Sequence, residues 1–379
     1  MISTPVDWIY FIFGLYSFVL ILVGTPLNFL CFYIFKRLIP NRSNATIIVF
    51  SYLSLVELLI PFTWNFNYAI RELVWKRRRT VTIKNLEQHS LAVCKLISFG
   101  AYFFLQSAAW LKTFATFARC VSLQPQWSIR KYILKSSIIH RLCWSIILFL
   151  GLINSPILFI NGKRVQTFDQ FNRTQIQINC YQSRFFQFWE IVHLLFYNFL
   201  PFILMILCNI SIIRCVDQSR NRMQHSKLPS TSIAKRMSTS GGILTRRSVS
   251  SSGSRLTKTL LTITIFFILF TSPAAIFYIS LGKIIKRHRN LITMGLSNLA
   301  TTNHVVSFVI YWMTSSDFQH AAMKCFCCRS CRTSSSLSLE ERARETRIDV
   351  LAHLPGTITV TENHRESMER KLPSFQFED

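Results

Sequence analysis

The feature that most constrains this chain is a series of long apolar runs joined by short connections. A helical run of roughly 20 residues, at ~1.5 Å rise per residue, crosses a hydrocarbon core of ~30 Å. Hydrophobic residues make up 50% of the 379 residues. The pattern predicts an all-α membrane protein, a seven-transmembrane helix bundle with runs at 8–35, 45–70, 91–123, 138–160, 186–215, 256–282 and 291–313.

The charges around the first run predict its orientation. Asp7 is the only charged residue before this run, whereas Lys36, Arg37 and Arg42 follow it. Because cytoplasmic ends of membrane helices carry the excess of basic residues, we expect residues 1–7 to lie outside the cell. Seven crossings then place the carboxyl terminus in the cytoplasm.

The formal net charge of +26 could suggest a nucleic-acid partner. Nucleic-acid-binding domains usually cluster their basic residues on one face or along one helix. Here the basic residues lie in short loops between apolar runs, a pattern typical of membrane proteins. We therefore expect contact with membrane lipid and no nucleic-acid partner.

The third run carries a cysteine near one end and an arginine near the other. Arg119 follows Cys94 by 25 residues, a separation that matches the thickness of the membrane. Cys94 at one rim and Arg119 at the other predict an oxidising outer compartment and a cytosolic inner one. Gln106 and Lys112 within the run predict that this helix faces protein, because polar groups facing lipid are costly.

Glu57 in the second run and Lys112 in the third are expected at similar depth on neighbouring helices. An unpaired charge in the membrane costs several kcal/mol. We therefore predict a bridge between Glu57 and Lys112, direct or through water. The alternative is that the Lys112 stem extends towards the cytosolic interface. Asn28 and Asn303 complete the predicted internal polar core.

The remaining segments are predicted from composition. Within the membrane domain 8–328, the Ser/Arg-rich stretch 217–254 is predicted to be a disordered third cytoplasmic loop. A short amphipathic cytoplasmic helix is predicted from Ser316 to Cys325, followed by a disordered tail over 329–379. Juxtamembrane cysteines are typical acylation sites, here Cys325, Cys327 and Cys328. Asn172 begins an outer glycosylation sequon.

Taken together, one landmark residue per run matches a known family. The chain resembles a rhodopsin-like (class A) G-protein-coupled receptor, closest to the peptide-binding branch, over all seven runs. The landmarks are Asn28, Glu57, Arg119, Trp144, Pro201, Pro273 and Tyr311, with Phe318 after the last run. The resemblance implies a disulfide between Cys94 and Cys180. It also implies that Arg119, Tyr311, Pro273 and Phe267 form the coupling switch.

Several positions depart from the family's pattern. Ala118 replaces the acidic residue before the arginine, and Cys120 replaces the tyrosine after it. Thr271, Ser307-Phe308 and Asn209 replace other expected residues. Because Ala118 offers no carboxylate to hold Arg119, we predict raised basal signalling.

The family's function is an expectation for this chain. The resemblance implies a plasma-membrane receptor that binds an extracellular ligand and activates a heterotrimeric G protein, with arrestin and receptor kinases as further partners. The basic outer loops favour a neuropeptide-like or anionic ligand. Ala101 stands where amine receptors carry an aspartate, so a monoamine is not expected. The predicted ligand-binding residues are Asn67, Arg71, Tyr102, Gln106, His193, Tyr197, Tyr278 and Ser297.

Other classes remain open. The sequence shows no nucleophile–base pair, phosphate-binding loop or metal-ligand spacing, so we expect neither an enzyme nor a cofactor. Transporters often contain two similar halves, and no internal repeat is evident. The alternatives are an ion channel, a transporter-like multi-pass membrane protein, or a seven-helix scaffold that does not couple to a G protein.

Overall fold

The computed structural model describes residues 5–39, 44–75, 85–124, 130–168, 174–181, 184–225, 246–277 and 288–326. These residues are mostly helical. The helices are α1 Pro5–Tyr33, α2 Ala45–Leu59, α3 Trp64–Ile70, α4 Leu91–Leu123, α5 Arg130–Ile133, α6 Ser136–Asn154, α7 Pro156–Ile160, α8 Arg184–Leu194, α9 Leu200–His225, α10 Arg246–Ile276, α11 Arg289–Val305, α12 Ser307–Thr314 and α13 Ser316–Phe326.

Within the described residues, six helical segments are long and apolar enough to cross a membrane. Many of their large apolar side chains face outwards, such as Leu152 at 72% exposure and Phe159 at 77%. Such a surface is suited to lipid and not to water. The chain has the character of an all-α multi-pass membrane protein. The segments are Pro5–Leu38, Ala45–Val74, Leu91–Leu123, Ser136–Ile160, Phe188–Ser219 and Leu256–Ile276.

The predicted runs agree with the helices to different degrees. The third run has the predicted bounds, since α4 spans Leu91–Leu123. Pro156 ends α6 and starts α7, because proline lacks the amide hydrogen that continues a helix. The loop predicted over 217–254 is partly helical, because α9 continues to His225 and α10 begins at Arg246.

Two strands not predicted from the sequence follow α7. β1 Lys163–Phe168 pairs antiparallel with β2 Thr174–Asn179, with Lys163 opposite Asn179. Val165, Ile176 and Ile178 are β-branched residues, which favour strands. β2 ends immediately before Cys180, so the hairpin determines where this cysteine lies.

α11 and α12 together occupy the seventh apolar run, which is rich in serine, threonine and asparagine. Asn298 on α11 joins three helices: its Oδ1 accepts from Ser17 Oγ on α1 and from Asn65 Nδ2 on α3, both at 2.7 Å. Thr301 Oγ1 donates to Asn65 Oδ1 at 2.7 Å. These bonds satisfy polar groups that lipid could not satisfy, so α11 is tied to α1 and α3.

α4 contacts α2, α6, α9 and α10. The end of α4 that carries Cys94 is called the disulfide end of the bundle, and the end that carries Arg119 is called the arginine end. At the arginine end, Tyr311 packs against Phe35, Phe50 and Phe318, with ring centroids 4.9 to 5.6 Å apart. Phe318 lies in α13, where the sequence predicted a short helix.

Candidate functional site

A disulfide joins α4 to the β-hairpin. Cys94 in the first turn of α4 is bonded to Cys180, with a Cα–Cα distance of 6.2 Å. The predicted pairing is therefore confirmed. Gly162, just before β1, packs against this bond: it has φ of +81°, and an added Cβ would lie 3.0 Å from Cys94 Sγ. Only glycine adopts this conformation without strain and leaves room for the sulfur.

The residue after Cys180 organises a buried polar cluster, called here the Tyr181 network. Its members are Trp64, Glu87, Ser98, Asn161 and Tyr181. Tyr181 Oη donates to Glu87 Oε1 at 2.8 Å and accepts from Ser98 Oγ at 2.8 Å and from Trp64 Nε1 at 3.2 Å. Asn161 Nδ2 donates to Ser98 Oγ at 2.7 Å, while Asn161 Oδ1 accepts from the Tyr181 amide at 3.0 Å.

Two features show how strongly this network constrains its members. Tyr181 has φ of 63°, a left-handed conformation that is costly for a residue with a side chain. Burial raises the pKa of Glu87 to about 7, although the Tyr181 hydrogen bond and the charge of Arg71 both lower it. The carboxyl group of Glu87 is thus partly protonated near neutral pH.

A cavity of about 390 Å³ opens beside the Tyr181 network towards the disulfide end. Its wall includes four of the predicted ligand-binding residues, Tyr102, His193, Tyr197 and Ser297. His193 lies between Tyr102 and Tyr197, with ring-centroid distances of 4.6 and 5.2 Å. Aromatic walls with a few placed polar groups are typical of small-ligand sites.

Three other predicted ligand-binding residues are not in the cavity wall. Asn67 Oδ1 accepts from the Leu86 amide at 2.9 Å, and Arg71 Nε donates to Glu72 Oε1 at 2.7 Å. Gln106 lies behind the wall, where it accepts from Asn154 Nδ2 at 2.6 Å and bonds His193 Nδ1 at 3.1 Å. The last of the predicted ligand-binding residues, Tyr278, lies outside the described residues.

The helix break at the cavity explains the positions of Asn67 and Arg71. A short 3₁₀ helix, Ile60–Phe62, contains Pro61 and separates α2 from α3. A tighter turn of this kind changes which residues of the following helix face the bundle interior. Consequently α3 presents Trp64, Asn65 and Tyr68 to the cavity.

The inner wall of the cavity contacts a buried polar group, called here the Glu57 cluster: the ion pair of Glu57 with Lys112, together with His304. Lys112 Nζ lies 3.0 Å from Glu57 Oε1, and His304 Nδ1 lies 3.0 Å from the same oxygen. Tyr197, which lines the cavity, is 3.4 Å from His304 Nε2. The predicted direct bridge between Glu57 and Lys112 is therefore present, and Lys112 is 1% exposed instead of extending to the interface.

The two asparagines of the predicted polar core differ in their contacts. Asn28 Nδ2 donates to the His304 carbonyl oxygen at 3.3 Å, so Asn28 adjoins the Glu57 cluster. Asn303 is 1% exposed, and its Nδ2 has no hydrogen-bond acceptor within the described ranges. The sequence reasoning missed His304, although a histidine in an apolar run is itself a signal of function.

The predicted switch residues are spread along the bundle: Phe267 lies beside the Glu57 cluster, Pro273 adjoins Ala274 of the cavity wall, and Arg119 and Tyr311 lie towards the arginine end. Phe267 packs against Tyr197 at 5.8 Å and lies 5.8 Å below the Lys112 ammonium, while Pro273 lies within α10. Arg119 is 9% exposed, and its Nη1 donates to Ser122 Oγ at 3.4 Å. Tyr311 is 1% exposed.

The predicted modification sites are mostly outside the described residues. Asn172, Cys327 and Cys328 belong to this group. Cys325 is described as a free thiol of intermediate exposure in α13. Acylation of Cys325 stays a prediction.

No protein-family model matches the chain, and no curated protein matches it at a significant level.

Proposed function

We propose that this chain is a rhodopsin-like G-protein-coupled receptor of the plasma membrane. In this proposal seven helices cross the membrane, and α11 with α12 forms the seventh. The amino terminus and the disulfide end lie outside the cell, and the arginine end, α13 and the carboxyl terminus face the cytoplasm. The receptor binds an extracellular ligand, neuropeptide-like or anionic, and activates a heterotrimeric G protein.

One observation carries the proposal: a ligand-sized cavity is connected to buried charges in the middle of the bundle. Tyr197 lines the cavity and contacts His304, which contacts Glu57, which binds Lys112. A ligand that moves Tyr197 would therefore disturb a charge cluster whose geometry is costly to change. Bistable internal contacts of this kind can transmit a binding event to a distant face.

Arg119 supplies the proposed output. A guanidinium carries five donors in a fixed fork, so it suits capture of backbone carbonyl groups. At the arginine end it would receive the carboxyl-terminal helix of a G-protein α subunit. Ala118 adjoins it and is 1% exposed. The lack of a carboxylate at this position supports the prediction of raised basal activity.

The test is nucleotide exchange on purified G protein with the receptor in lipid nanodiscs. We expect exchange above that of empty nanodiscs, and Arg119→Gln should reduce it to that background. Arg141→Gln is the matched control, because Arg141 is an exposed arginine in the first turns of α6. Equal exchange with Arg119→Gln and the unmodified chain would contradict the coupling role.

Orientation is tested separately. Tags at the two ends of the chain should label differently on intact cells, with only the amino-terminal tag accessible. If both tags were accessible on the same face, an odd number of crossings would be excluded. The receptor proposal would then fail before any assay of coupling.

A further inference from the structure

The charges in the cavity wall constrain the class of ligand. Glu190 on α8 and Arg289 at the start of α11 both line the cavity. They are the only carboxylate and the only Lys or Arg side chain in the described wall. We propose that the ligand is a short zwitterion with an aromatic body, such as an aromatic dipeptide with free termini. This inference rests on the proposed function, since it specifies the ligand of that receptor.

Glu190 is the principal evidence for a positive group on the ligand. Its side chain is half-buried, yet within the part of the chain that the structure describes it makes no hydrogen bond or ion pair. A partly desolvated carboxylate without a close partner is unfavourable. An ammonium group on the ligand would supply the missing partner through a charge-assisted hydrogen bond.

Arg289 is the evidence for a negatively charged group on the ligand. It is exposed and makes no hydrogen bond or ion pair with another described residue. Its charge attracts Glu190, and the two side chains form no ion pair among the described residues. The two groups are thus close enough to serve one small molecule and too far apart to neutralise each other directly. A guanidinium suits bidentate capture of a carboxylate.

The depth of the charged residues indicates how the ligand is arranged. Glu190 lies on α8 about two turns (~10 Å) nearer the disulfide end than Tyr197. Arg289 is the first residue of α11, so it lies at the same end. Deeper than Glu190 the wall is aromatic, because Trp64 and Tyr102 pack together beside His193. A ligand would therefore hold its two charges at the mouth and insert its aromatic body between these rings.

A purely cationic or purely anionic ligand fits less well. A cation would be repelled by Arg289 and would leave that guanidinium without a partner. An anion would be attracted to Arg289 but would leave Glu190 desolvated and unpartnered. A zwitterion satisfies both residues, and the volume of about 390 Å³ is at the small end for ligand cavities.

The experiment uses matched probes that differ only in charge. The purified chain in nanodiscs is titrated with the dipeptides Phe-Phe, Trp-Leu and Tyr-Phe. Each dipeptide is supplied with free termini, N-acetylated, C-amidated or capped at both ends. We expect at least one body to bind most tightly with free termini, and each cap to weaken binding about tenfold, the usual size of one charge-assisted hydrogen bond.

Substitutions test which residue binds each charged end of the ligand. Glu190→Gln should remove the penalty for N-acetylation alone, and Arg289→Gln should remove the penalty for C-amidation alone. Asp7→Asn and Lys95→Gln are matched charge controls outside the cavity wall and should preserve both penalties. Should either Gln variant unfold, the exchange Glu190→Arg with Arg289→Glu retains both charges and is expected to keep the preference for free termini.

The outcomes separate this inference from the proposed function. If the free and capped forms bound equally, or if no dipeptide bound, the proposal of a zwitterionic ligand would be overturned. Nucleotide exchange driven by an N-acetylated probe but not by its free form also overturns it and leaves the receptor standing. Tight binding of free dipeptides without any nucleotide exchange supports the zwitterion and contradicts the receptor.

Discussion

Two buried carboxylates in this molecule are neutralised in different ways. Glu57 lies in the middle of the bundle against Lys112 and His304, and its exposure is 0%. Glu87 lies at the disulfide end, where its hydrogen-bond donor is the phenol of Tyr181. Glu57 is balanced by a fixed cation, whereas Glu87 is balanced mainly by binding a proton.

The difference indicates what each site can respond to. A carboxylate that is paired with lysine has its countercharge inside the fold, so its contacts change when neighbouring side chains move. A carboxylate held by neutral donors changes its charge near neutral pH. The Glu57 cluster is therefore the contact that a movement of Tyr197 would disturb, whereas the Tyr181 network is the contact that a change of pH would alter.

The largest expected effect comes from removing the cation of the Glu57 cluster. Lys112→Met should lower the free energy of unfolding by about 3–5 kcal/mol, because it leaves a buried carboxylate without its lysine. Thermal unfolding of the detergent-solubilised protein measures the change. Lys95→Met is the control, since Lys95 lies on the same helix but is only half-buried, and its Nζ donates to the Phe159 carbonyl oxygen.

A second substitution distinguishes loss of the ion pair from loss of packing. Glu57→Gln combined with Lys112→Met removes both charges and should recover part of the lost stability. If the double variant were less stable than Lys112→Met alone, the charge explanation of the cluster would be wrong.

The second effect is a pH dependence that belongs to Glu87. Its pKa of about 7 in the folded protein lies above the ordinary value of 4.5, so the folded state holds the proton more tightly. The resulting stability is complete below pH 4.5 and is lost as the pH rises towards 7. The difference corresponds to about 3 kcal/mol.

Melting temperatures measured between the two pKa values test this sign. The unmodified protein should lose stability over that range, and Glu87→Gln should lose less, because glutamine does not titrate. The comparison between the two proteins removes contributions from other titrating groups. Identical pH profiles would show that Glu87 does not titrate there.

A smaller effect is expected from the phenol itself. Tyr181→Phe removes the hydroxyl that contacts Glu87, Ser98 and Trp64, and should lower stability by about 1–3 kcal/mol. Tyr132→Phe is the control, because Tyr132 is 70% exposed. Equal melting temperatures for the two variants would mean that the network adds nothing to stability.

The smallest expected effect is a null response to sodium. The receptor family that the chain resembles holds a sodium ion with an acidic residue in its second helix. If Glu57 is the corresponding residue, Lys112, 3.0 Å away, occupies the place of that ion. Replacing choline chloride by sodium chloride at ~0.15 M should therefore leave stability and probe binding unchanged. A sodium-specific shift that disappears in Glu57→Gln would indicate that the lysine leaves the site.

The sequence predicted those features in which a single residue type carries a large cost. Lys112 and Glu57 had to meet because an unpaired charge in lipid is expensive, and the resemblance to a known family indicated Cys94 and Cys180. The sequence did not show which residues of α3 face the cavity, because the 3₁₀ turn at Ile60–Phe62 rotates that helix relative to α2. The partner of Tyr181 was also hidden, since Glu87 lies outside the apolar runs and only the folded hairpin brings them together.

The bonds made by Asn298 also bear on how the chain is assembled. In the proposed receptor, α11 is too polar to partition readily into the bilayer by itself. Ser17 and Asn65, which satisfy Asn298, belong to segments synthesised much earlier. The last crossing would therefore insert into the lipid only by packing against helices that are already inserted. In truncated chains that lack α1, we expect this segment to fail to insert.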